Sequence, residues 1–122
     1  MTFASTTLYL SGIGVAVTGY LAVIFLRDPQ NGLQQTTHHA ENLPSVMTDR
    51  YLAMTALAAG ATFYGDFKVI AFLFATFAFM GFADAFIYAR AGKSISKHMI
   101  AGGAAMIVVI VAILAQITNG AA

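Results

Sequence analysis

An aspartate stands among phenylalanines in the run AFLFATFAFMGFADAFIYAR, residues 71–90. Asp84 lies six residues before Arg90, which places it ~9 Å inside the polar boundary of an apolar helix. An ionised carboxylate at that depth costs a few kcal/mol unless it faces protein, pairs with a cation or holds a proton. Within one turn of its own helix the neighbours are Met80, Ile87 and Tyr88, none of them cationic. The partner is therefore sought on other helices. Arg50, directly ahead of an apolar run, is the first choice, and His98, at the start of the last apolar segment, is the second. Gly81, one turn before Asp84, is expected to leave room beside the carboxylate, and Gly102 to do the same beside His98.

Asp84, Arg50 and His98 together could do acid/base chemistry. His98 or a protonated Asp84 would move a proton, and Arg50 would orient the pair or stabilise developing negative charge. A second constellation is His38 with Glu41 in the segment HHAE. Two ligands fall short of the three or four that a metal site needs, so no metal is expected, and His38 and Glu41 are the only candidates. The chain has no cysteine, which removes thiolate catalysis, disulfides and Cys-ligated metals. No phosphate-cradling glycine loop and no Ser-His-Asp arrangement is legible, so no cofactor is expected.

The elements that must position these residues follow from composition. With 59% hydrophobic and 9% charged residues, the chain carries far less charge than a soluble domain of this size, and its expected solvent is a lipid bilayer. The net charge of +1, with no basic stripe, argues against nucleic acid as a partner. Segments 8–26, 68–89 and 98–117 each approach the ~20 apolar residues that cross a bilayer. Residues 51–64 alone are short, but a helix from Pro44 to Tyr64 would be long enough, with Asp49 and Arg50 in its first two turns. The expected fold is all-α: a single polytopic membrane domain built as a bundle of four transmembrane helices, at about 8–26, 44–64, 68–89 and 98–117. The N-terminal MTFASTTLYL lacks the basic stretch of a signal peptide, so the first segment is expected to remain as a span.

Five of the six basic residues, Arg27, Arg50, Arg90, Lys93 and Lys97, fall in or beside residues 27–50 and 90–98. The positive-inside rule puts those two loops in the cytoplasm and both termini outside, in the cell's inner or plasma membrane. Gly65-Asp66 reads as a tight turn on the outer side. Small residues at Gly12, Ala16 and Gly19, at Ala53, Ala56 and Gly60, and in AGGAA at 101–105 are expected helix-contact faces. Phe72, Phe79 and Phe86 repeat every seven residues and read as packing or lipid contact. The polar stretch PQNGLQQTT is expected to be a loop, either a lid or a tether.

Arg50 opening the second helix, Gly65-Asp66 at the turn, Asp84 late in the third and His98 opening the fourth form a pattern. It resembles a family of small four-helix membrane proteins of bacteria and fungi catalogued as a domain of unknown function. The resemblance implies the same fold and topology and supplies no activity. Two functions of different class are expected from the residues themselves. One is a membrane-embedded acid/base enzyme (isomerase, cyclase or hydrolase) or binding protein for a lipophilic small molecule. The alternative is a non-enzymatic accessory or scaffold subunit, meeting a membrane-protein partner or further copies of itself. Transport is carried only by the intramembrane carboxylate, with no broken helix beside it.

Overall fold

The computed structural model describes residues 3–120, and within them the chain is helical with no strand. Helix α1 spans Phe3–Arg27, α2 Pro29–Gln35, α3 Leu43–Tyr64, α4 Phe67–Arg90 and α5 Ser96–Gly120, with a 3₁₀ turn at Ala40–Asn42 ahead of α3. Three of these helices, α1, α4 and α5, are long and apolar enough to cross a membrane. At 22 residues α3 would measure ~33 Å, similar to them in length. It is less apolar, and its first two turns hold Asp49 and Arg50. The chain divides into two compact units, residues 1–49 and 50–122.

In the first unit the polar stretch expected to be a loop is partly helical. Asp28 caps α2, its carboxylate accepting from the amides of Gln30 (3.1 Å) and Asn31 (3.2 Å), and Pro29 begins the helix. Gly32 is buried against the Phe25 ring, and a Cβ there would lie 2.7 Å from it. A seven-residue helix is too short to stand alone, so the cap and this close fit to the end of α1 supply its stability. Elsewhere α1 is almost wholly exposed, with Ile24 its buried residue. Ala16 and Gly19, expected as contacts, lie on exposed surface, and the surroundings of Gly12 lie outside what is described.

In the second unit, Gly65 (φ +74°) ends α3, and the Asp66 carboxylate caps α4 by accepting from the Lys68 amide at 2.8 Å. The other end of α4 closes on Gly92 (φ +68°). There the Gly92 amide donates to Ala89 O and the Lys93 amide to Tyr88 O, which satisfies two carbonyls of the last turn and reverses the chain into α5. Helices α4 and α5 then pack along small residues. Ala78, Gly81 and Ala85 on α4 and Gly102, Ala105, Val109 and Ala112 on α5 are buried, at helical spacings of three and four. Phe72, Phe79 and Phe86 point outward, at 78%, 71% and 63% exposure, as lipid-facing residues would.

Candidate functional site

Helices α4 and α5 approach each other closely at Gly81. A Cβ on Gly81 would sit 2.7 Å from the Gly102 nitrogen and 3.1 Å from the His98 carbonyl oxygen. The room expected beside Asp84 at this glycine is therefore filled by the backbone of α5. Gly102 is likewise no open patch, because the Phe82 ring lies against it, 2.8 Å from where a Cβ would be. This tight crossing brings the first turn of α5 within reach of the last turns of α4.

His98 is the residue that results beside Asp84, its Nδ1 lying 3.7 Å from Oδ2. That distance suits an ion pair when the imidazole is protonated, and it is slightly long for a direct hydrogen bond. The side chains are 46% and 31% exposed for Asp84 and His98 respectively, so neither is sealed inside the protein. Tyr88 stacks on the imidazole, with centroids 4.7 Å apart and planes 14° from parallel. The imidazole thus meets a phenol on its face and a carboxylate near its Nδ1 edge, both from α4.

Arg50, the first choice as partner, forms no ion pair with Asp84 among the described residues. It lies exposed in α3. Sequence reasoning noted Tyr88 as a helical neighbour of Asp84 and missed its contact with His98. The available signal was spacing: Asp84 and Tyr88 are four residues apart and share a helix face. Arg90, one turn beyond Phe86, lies 5.7 Å from that ring's centroid, so its charge runs along α4 itself.

A cavity of about 340 Å³ opens beside the pair. Asp84 and His98 supply its charge, and Tyr51 and Met54 of α3, Phe74 and Phe77 of α4 and Ala104 and Val108 of α5 contribute to its walls. Phe74 and Phe77 meet edge to face at 5.4 Å, which fixes one wall. The size and the few convergent polar groups are those of a small-molecule site. Chemically, a carboxylate beside Nδ1 can hold an imidazole with Nε2 left to accept or give a proton.

His38 and Glu41 are elsewhere, in the first unit. The His38 Nδ1 lies 2.7 Å from Thr36 Oγ1, and Glu41 sits in the 3₁₀ turn. Among the described residues no group of three or more His, Asp or Glu side chains is poised around a metal.

Fold and site together define an all-helical protein with three membrane-length apolar helices and an apolar pocket holding an Asp–His pair. No family model, curated protein or solved structure matches the chain.

Proposed function

We propose that this chain is a four-helix integral membrane protein whose pocket beside Asp84 and His98 binds a lipophilic small molecule and performs acid/base chemistry on its polar group. Isomerisation, cyclisation and hydrolysis are the reaction types such a pair can serve. One observation carries the reading: a carboxylate and an imidazole converge at 3.7 Å on the edge of an otherwise apolar cavity. In this reading α3 is the fourth span, both termini lie outside, and the pair lies near the cytoplasmic boundary. Arg50, near the same boundary, is then free to meet an anionic substrate group.

The test is a panel of lipophilic metabolites screened by thermal stabilisation and turnover in detergent. A hit should lose turnover at least ~100-fold in Asp84→Asn and in His98→Gln while both variants keep their helicity, as expected for loss of a general acid or base. Ala104→Phe, which fills the cavity from an exposed position, should abolish the stabilisation. A ligand whose binding and turnover ignore all three changes would remove the pocket from the function.

A specific observation favours the accessory-subunit reading as well. Within its own unit almost the whole apolar length of α1 is exposed, including Leu8, Tyr9, Val15 and Leu26. A Cβ added at Gly19 would meet nothing within 4 Å, so that face could receive another helix closely. A chain that is strictly monomeric in mild detergent, with no co-purifying protein, would count against it.

A further inference from the structure

A groove of about 940 Å³ between α3 and α4 extends toward the Gly65 turn, and none of its lining residues is shared with the Asp84–His98 pocket. Its floor is made by Ala53, Ala56, Gly60 and Ala61, and its far wall includes Val69 and Phe72. The small residues expected as a helix contact at 53, 56 and 60 thus line open space. From Ala53 to Tyr64 the wall is ~17 Å long, close to half of a ~30 Å hydrocarbon core, which is the depth of one leaflet.

The groove does not end in apolar surface. Tyr64 and Lys68 line both it and an adjoining polar recess of about 460 Å³ that also includes Asp66 and Gln116. Asp66 is the one acidic group there, and its carboxylate is already engaged by the Lys68 and Val69 amides at the start of α4. The Lys68 ammonium makes no ion pair among the described residues. Its stem can follow the apolar wall while the charge reaches the recess. An apolar slot one leaflet deep, opening at its polar end beside an unpaired cation, matches an amphiphile with an anionic head.

We propose that this groove is a binding site for one anionic phospholipid, with an acyl chain lying along Ala53–Ala61 and the phosphate at Lys68. The site is separate from the Asp84–His98 pocket and does not depend on the function proposed for it. One cation near a membrane surface contributes ~1 kcal/mol toward an anionic lipid, or about fivefold in affinity.

The full chain in mild detergent, offered equal amounts of phosphatidylglycerol and phosphatidylcholine with identical acyl chains, should be measured by native mass spectrometry. A single bound phosphatidylglycerol, favoured about fivefold, is expected. Lys68→Gln should bring the two lipids to parity. Gly60→Leu should remove both; a Cβ at Gly60 meets nothing within 4 Å, so the fold can accept the change. Equal binding of the two lipids by the unaltered chain, or retention unaffected by Gly60→Leu, overturns the proposal. A lipid-free dimer that Gly60→Leu dissociates also overturns it, and assigns the groove to a second copy.

Discussion

Asp84 and His98 keep 46% and 31% of their side-chain surface exposed, and their 3.7 Å separation is that of a loosely held pair. Partly exposed ion pairs contribute roughly 0–1 kcal/mol. A double-mutant cycle of Asp84→Asn and His98→Gln, read by thermal unfolding in detergent, should therefore give a coupling below about 1 kcal/mol. Arg50→Gln should be uncoupled from Asp84→Asn. A coupling above about 2 kcal/mol would make the pair a structural clasp and weaken the case for chemistry. Thr37 is the other residue whose conformation stands out, being β-branched at φ +57° where the chain leaves α2. The Thr37 and His38 amides close that helix end onto Gln34 and Leu33, a geometry that suits glycine. Thr37→Gly is expected to stabilise it by ~0.5–1 kcal/mol, visible as slower hydrogen exchange at residues 36–38. Faster exchange there would show that the Thr37 hydroxyl, which donates to Thr36 O at 2.7 Å, matters more than the strain.

At the scale of elements, the α4–α5 crossing decides the site. Glycines that look alike in sequence have unlike surroundings: backbone fills the space at Gly81, whereas a Cβ on Gly103 would meet nothing within 4 Å. Gly81→Ala should cost about 1–3 kcal/mol, since the obstructing atoms are main chain and cannot swing aside. Gly103→Ala should be neutral or stabilising by up to ~1 kcal/mol, because it removes the entropic cost of glycine in a helix. Thermal melts of the two variants beside wild type make the comparison. Equal effects would mean that the close crossing is not what joins the helices. Gly81→Ala should also disturb ligand binding beside Asp84, because the same contact holds the first turn of α5 in place.

For the whole molecule, the four-span reading requires α3 to cross the membrane along with the three helices apolar enough to do so. With four spans both termini lie on one side; with three they lie on opposite sides. Because the chain contains no cysteine, single cysteines can be introduced without background. Ser94→Cys should react only with a reagent applied from the cytoplasmic face, and Asn119→Cys together with a tag on the N-terminus only from the outer face. Reaction of Asn119→Cys from the face opposite the N-terminal tag would leave α3 as a surface helix and discard the four-span reading.

Composition and local chemistry were enough to establish the helical class, the three membrane-length apolar helices and the Gly65-Asp66 turn. Each depends on a residue and its near neighbours, or on the length of an apolar run. Residues 29–35 escaped notice because one short polar helix has no apolar period to read, and its support comes from Asp28 and from Phe25 over Gly32. That His98 rather than Arg50 stands beside Asp84, and that the small residues of α4 and α5 are the ones that pack, follows only from the tertiary structure. Helices that are apolar all round carry no stripe to say which face meets a neighbour. Whether His98 or Arg50 reaches Asp84 therefore depends on how far the backbones of α4 and α5 can close, and the contact of Gly81 with Gly102 sets that distance.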